Sequence, residues 1–146
     1  VPFGLGEPVF NKFQSGLSKA VMSINACKGI SFGSGFNAAK AKGSQHNDLF
    51  VVQSGEIRAK TNRSGGIQGG ITNGEDVCFQ AAFKPVSTIM QKQLTVNKSL
   101  EQVSVGLSGR HDPCVVPRAV PIVESLTAII ILDYYLLNKT TKISDL

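Results

Sequence analysis

Cysteine is scarce in this chain: three in 146 residues, an odd count at wide spacing. That excludes a closely spaced metal motif and a full disulfide framework, and fits a reducing compartment. Aromatic residues make up 7% and fall mostly at core-like spacings, too few to build stacking platforms for single-stranded nucleic acid. The net charge is +5, yet the basic residues are scattered rather than clustered. This reads against nucleic acid as a partner and leaves phosphate-bearing small molecules. The chain starts Val1-Pro2-Phe3, without an initiator Met or the charged and apolar regions of a signal peptide. Glu124 and Asp133 interrupt the longest apolar stretch, so no membrane span is expected. No internal repeat or low-complexity segment appears.

What is present is ordinary globular composition, 42% hydrophobic and 17% charged, which argues for one folded domain. Phe10, Phe13, Leu17, Val21 and Ile24 recur at helical steps, predicting an amphipathic helix opened by Glu7-Pro8 in its first turn. Lys28 to Phe32 is short and β-prone, and Gly33-Ser34-Gly35 closes it. Between Lys42 and Ile57 no period is visible, which reads as a long loop. Val77, Phe79, Ala81 and Phe83 alternate with polar or small residues, a strand ended by Pro85. Leu94–Val96 and Val103–Val105 predict a hairpin around Asn97-Lys98-Ser99. Pro121 to Leu137 predicts a helix apolar on nearly all sides, which needs cover all round. The class is α+β, with helices packed on antiparallel strands.

Several stretches carry candidate chemistry. Gly65-Gly66-Ile67-Gln68-Gly69-Gly70-Ile71, followed by Gly74, allows positive φ and close backbone approach, with Arg58, Lys60 and Arg63 just upstream. Such a loop makes either an anion-binding nest or a tight turn into the next strand; the ligand reading is favoured. Lys84-Pro85-Val86-Ser87-Thr88 leaves a strand end with an ammonium and two hydroxyls, suited to a phosphate or the polar edge of a flavin, or to an ordinary polar loop. Gly33-Ser34-Gly35-Phe36-Asn37-Ala38 imitates a dinucleotide fingerprint but lacks the second strand and acidic residue, so packing glycines are the better reading. His46 could pair with Asp48 as a general base; an exposed, idle loop histidine is favoured.

The densest stretch is Arg110-His111-Asp112-Pro113-Cys114, with Arg118, Pro121 and Glu124 following into the apolar segment. Charged groups at the mouth of a buried element mark either a site or a surface ion pair between Arg110 and Asp112. Neighbouring side chains of an extended segment point opposite ways, which disfavours a His111–Asp112 relay. Cys114 precedes Val115-Val116 and reads as a small packing residue rather than a nucleophile.

Arg110-His111-Asp112-Pro113-Cys114 with Ala119-Val120-Pro121-Ile122-Val123-Glu124-Ser125-Leu126 resembles the C-terminal signature of chorismate synthases. Gly4-Leu5-Gly6-Glu7-Pro8-Val9-Phe10, Met22-Ser23-Ile24-Asn25-Ala26 and Asn62 to Ile71 are similar to the same family in the same order. The resemblance runs from Val1 to about Asn138. It implies that residues 1–146 form a single C-terminal piece of such an enzyme, with the N-terminal half absent. The implied fold is one β-α layer of a β-α-β sandwich.

The activity that the resemblance implies is 1,4-elimination of phosphate and a proton from 5-enolpyruvylshikimate 3-phosphate to give chorismate, with reduced FMN. The flavin is expected to lend electron density transiently, its N5 close to the departing proton. NADPH enters only if the parent protein reduces its own flavin. By the same resemblance Asp112 is the carboxylate near N5. Asn25, Ala26, Gly69, Lys84, Pro85, Val86, Ser87, Thr88 and Arg110 line the flavin, Arg110 also suiting an anionic group of the substrate. The parent is expected to be a cytoplasmic homotetramer, plastid-located if from a plant. Neither His46 nor His111 takes the place of the two histidines that the family carries in its N-terminal half, and the family's Arg-rich substrate cluster and Arg-Ser-Ser segment are also missing. The chain alone is therefore expected to be inactive. The alternative is a non-catalytic module that binds flavin or phosphate with no second half.

Overall fold

A computed structural model describes residues 1–110 and 112–141. Helix α1 (Phe13–Met22) buries Phe13, Leu17 and Val21 completely. It begins three residues later than the apolar spacing implies. Gly6 and Val9 both take positive φ (115° and 68°), the Glu7 amide donates to Asn11 O, and the Phe13 amide donates to Gly70 O. Residues 4–12 thus form a looped lead-in, Glu7-Pro8 lies outside the helix, and Phe10 is 89% exposed while Leu5 takes a core place.

After α1 the chain turns into β1 (Cys27–Phe32), which pairs antiparallel with β6 (Phe79–Phe83), a partner some fifty residues away in sequence. The register slips between Cys27 and Gly29, a bulge at Lys28. Phe79, Ala81 and Phe83 are half-buried and Gln80 and Ala82 exposed, as the alternation requires. Gly35–Lys40 forms a 3-10 helix and Gly43–His46 one turn, α2. Gly33 is a packing glycine: a Cβ there would strike the Arg63 carbonyl, and its amide donates to Cys78 O.

The stretch read as a loop instead forms a hairpin of β2 (Phe50–Gln53) and β3 (Glu56–Ala59). Its turn is Ser54-Gly55, both at positive φ. A two-stranded hairpin is marginal by itself, and here its base is anchored by charge. Asp48 accepts from the Thr61 hydroxyl (2.6 Å), the Arg63 and Ser64 amides (both 2.9 Å) and the Ser64 hydroxyl (2.7 Å). Glu75 receives both arms of the Arg58 guanidinium (2.9 and 2.7 Å) and the Ala59 amide (2.8 Å). β4 (Ile67–Gln68) and β5 (Ile71–Thr72) turn through Gly69-Gly70, and β7 (Gln93–Val96) pairs with β8 (Gln102–Val105) as expected.

Helix α3 runs Val116–Lys139, starting before Pro121 and enclosing it. Pro117 sits in the first turn, where a missing amide costs little, whereas Pro121 lies inside the helix and leaves the Pro117 carbonyl without its i→i−4 donor. Tyr134 is the anchor: its ring lies 5.3 Å from that of Phe13, and its hydroxyl donates to Lys12 O at 3.2 Å. Burial pushes the phenol's pKa up, with Asp133 and Glu7 adding to the shift. Most of α3 is open: Ile129, Leu132 and Leu136 are each more than half exposed. Its 24 residues and a mean hydropathy of 1.7 over an apolar stretch would suit a membrane span by length and composition, but a core helix passes the same test, and Tyr134 and Asn138 tie this one to α1 and Gly4.

Two predictions follow from these contacts. Gly16 on α1 faces Tyr134, and a Cβ there would lie 2.5 Å from the hydroxyl oxygen. Glycine to alanine in a helix normally stabilises by about 0.5–1 kcal/mol. The clash with a buried ring costs about 1–3 kcal/mol, so Gly16→Ala should lower Tm by several degrees. A Gly16→Ala/Tyr134→Leu double variant should lose less than the two single variants combined; additive losses would refute the contact.

The second concerns acid. Burial raises the Asp48 pKa, but the bonds from Thr61, Arg63 and Ser64 outweigh it and bring it down to about 2. The Arg58 and Ala59 bonds bring Glu75 to about 2 as well. Both contributions are full above the unfolded pKa near 4 and are lost as pH falls through the folded value. Protection of the 50–64 amides, relative to their intrinsic exchange, should therefore fall between about pH 4 and 2, and Asp48→Asn should flatten that dependence.

Candidate functional site

The α1–β1 corner is set by backbone. Ile24 and Cys27 amides close the turn onto Val21 O and Ile24 O, and Ala26 sits at φ 68°, unusual for a residue with a Cβ. The Lys84 amide donates to Ala26 O at 2.9 Å, extending the β1–β6 ladder by one bond and fixing the Lys84–Thr88 loop beside Asn25-Ala26. The segment before α3 then passes Asp112 along the same edge.

Two clefts meet there. One of about 270 Å³ is lined by Ala26, Lys84, Pro85, Val86, Ser87, Thr88, Asp112 and Val115. The other, about 620 Å³, includes Ser23, Asn25, Phe83, Asp112, Val115, Arg118 and Ile122. Asp112 and Val115 line both. Eight of the ten residues proposed for the site therefore line one cleft or the other: Asn25, Ala26, Lys84 to Thr88, and Asp112. Gly69, at the open tip of the β4–β5 turn, lines neither, and nor does exposed Arg110. His111, and with it the question of a relay to Asp112, lies outside the described residues.

The expected local pairings differ from the observed ones. Asp112 pairs with Arg118 (Oδ2 to Nη2, 2.9 Å) rather than Arg110, because the first turn of α3 aims Arg118 back over the preceding segment. His46 is half-buried, not exposed, and its Nε2 has no hydrogen-bond partner among the described residues; Asp48 is engaged by Thr61, Arg63 and Ser64, so the two make no general-base pair. Cys114 is exposed rather than packed, since it precedes α3 on the outside of the turn. In the glycine loop, the Gly65 and Gly66 amides go to Asn62 O and Oδ1 (3.2 and 2.6 Å), and Arg58 is neutralised by Glu75. That part of the loop is a packed turn and not a nest.

Arg118 and Phe83 also line the larger cleft, although the sequence assigns neither to the site. A charge one residue after a helix-opening proline was the available signal for Arg118; nothing local marks Phe83. Together the clefts offer an ammonium, hydroxyls and a carboxylate against apolar walls from Phe83 and Ile122. That donor set fits a phosphorylated, planar aromatic cofactor such as a flavin mononucleotide.

Ala26 offers a test of how tightly the corner is built. A β-branched side chain at positive φ costs about 1–3 kcal/mol, so Ala26→Val should destabilise the chain in urea and speed exchange of the Lys84 amide. Ala26→Gly should do neither. Equal behaviour of the two variants would refute the strained corner.

A family model described as chorismate synthase matches residues 1–136. Chorismate synthases of Christiangramia forsetii and Cytophaga hutchinsonii are each 58% identical over 143 and 144 residues, covering 98% of this chain and 40% of the relative. That of Bacteroides fragilis is 52% identical over 142 residues. A crystal structure of a chorismate synthase superposes with a TM-score of 0.75 at 30% identity, over 96% of this chain and 35% of the solved one. The chain thus spans about 40% of the length of the curated relatives it matches, and on this evidence of sequence and fold together it belongs to the chorismate synthase family.

Proposed function

We propose that this chain supplies the flavin-facing portion of a chorismate synthase, a lyase of the shikimate pathway, as the C-terminal part of a longer protein. The reaction is anti-1,4-elimination of phosphate from 5-enolpyruvylshikimate 3-phosphate to give chorismate. The observation that carries this reading is the convergence of Asn25, Ala26, Lys84 to Thr88 and Asp112 on two adjoining clefts.

Reduced FMN, when bound, supplies transient electron density as the phosphate leaves. The Lys84 ammonium and the Ser87 and Thr88 hydroxyls suit its phosphate or polar edge, and Phe83 and Ile122 exclude water from an apolar face. Asp112, an ionisable oxygen shared by both clefts, is suited to accept or hold the proton lost from substrate. Arg110 and Gly69 complete the proposed set from outside the clefts. The histidines that the family carries elsewhere belong to the remaining polypeptide. That polypeptide, and a homotetrameric cytoplasmic assembly, would also cover the exposed Ile129, Leu132 and Leu136 of α3.

Co-expression tests this directly. The unmatched portion of the Christiangramia forsetii relative is combined with this chain, reduced FMN and 5-enolpyruvylshikimate 3-phosphate, and chorismate is measured. Turnover is expected from the pair and from neither piece alone. Asp112→Asn in the pair should lower kcat by at least about tenfold, within the range for loss of a positioned proton acceptor. Turnover by this chain alone, or failure of the pair where the relative's own two pieces recombine, would refute the proposal.

A further inference from the structure

We infer that Arg118 is a positioning residue for Asp112: its guanidinium holds Oδ2 so that Oδ1 is left to serve the clefts. The inference rests on the reading of Asp112 as the site carboxylate.

A carboxylate just ahead of a helix is usually oriented by the free amides of the first turn. Here the turn has almost none to offer. Pro117 has no N–H, and the Arg118 and Ala119 amides both donate to Val115 O, at 3.1 and 3.0 Å. Among the described residues the one polar contact to Asp112 is the Arg118 ion pair at 2.9 Å. Asp112 would otherwise be free to swing toward Lys84, the cation that lines the same smaller cleft. Both partners are well exposed, 76% and 46% by side chain, so the pair adds little to stability. Its effect is on direction. A rigid planar fork at the start of a long helix fixes an oxygen better than a flexible ammonium would.

The test uses carbodiimide-promoted coupling of carboxylates to glycine ethyl ester in the 146-residue chain, quantified by mass spectrometry, and needs neither flavin nor substrate. Arg118→Gln should speed labelling of Asp112 roughly two- to fivefold, the range for losing an exposed ion pair. Glu101 and Asp133 should label at the wild-type rate and Tm should not move. Arg118→Lys should restore only part of the protection. An unchanged Asp112 rate overturns the inference, and so does a general rise across all carboxylates, which would mean loosened structure.

In the reconstituted pair, Arg118→Gln should lower kcat with little change in KM, and should add nothing to Asp112→Asn. Additive losses would mean that Arg118 contacts ligand itself and would overturn the positioning role. If the pair shows no turnover, the proposed function fails, while the labelling result still decides the positioning role.

Discussion

Everything in this molecule hangs on one apolar stripe. Phe13, Leu17 and Val21 of α1 are fully buried, and three separate pieces converge on them: the β1–β6 ladder, the Leu5 lead-in, and Tyr134 from the far end of the chain. Removing three such side chains from water is worth several kcal/mol, about 1.5–3 each. A stripe of one helix is thus the common wall for elements that have few contacts with one another. Among the described residues the four sheets are each two-stranded and would not persist without a surface to pack on.

The site inherits its geometry from that wall through backbone alone. Asn25-Ala26 is where α1 hands over to β1, and Lys84 is where β6 ends beside it. A single amide–carbonyl bond between Lys84 and Ala26 keeps the two irregular connections together. Functional groups on loops become precise when the loop ends belong to rigid elements. Ala26 shows the constraint plainly, since a left-handed backbone with a Cβ persists only where the surroundings hold it. α3 has two duties: its Tyr134 end completes the core, and its first turn directs Arg118 onto Asp112.

Electrostatics is divided between the two halves of the surface. At the hairpin base, Asp48 and Glu75 gather amides, hydroxyls and Arg58 into satisfied networks and are held ionised far below the usual carboxylate range. These charges are structural and have no capacity left for a ligand. At the clefts, by contrast, among the described residues Lys84 has no carboxylate within pairing distance and Asp112 has a single cation on one oxygen. Charges left partly unsatisfied beside apolar walls are the ones available for chemistry.

By itself the sequence determined the α+β class, the buried face of α1, the alternation of Phe79, Ala81 and Phe83, and the hairpin about Asn97. Those signals are periodic or depend on turn residues a few positions apart. It also displayed, through four ordered motifs, the family resemblance and half of the residues that line the clefts. Tertiary structure alone decided the rest. That β1 pairs with β6, that Asp48 binds Ser64 instead of His46, and that Asp112 takes Arg118 over Arg110 depend on which distant segments share a wall, and no local period encodes that. The helix starts at Phe13 and not at Phe10, the first apolar position of the stripe, for the same reason: the Gly70 carbonyl, far along the chain, claims the Phe13 amide. Even the hairpin at Ser54-Gly55 owes its persistence to Asp48 and Glu75 at its base, because two strands alone bury too little to outweigh their own conformational entropy.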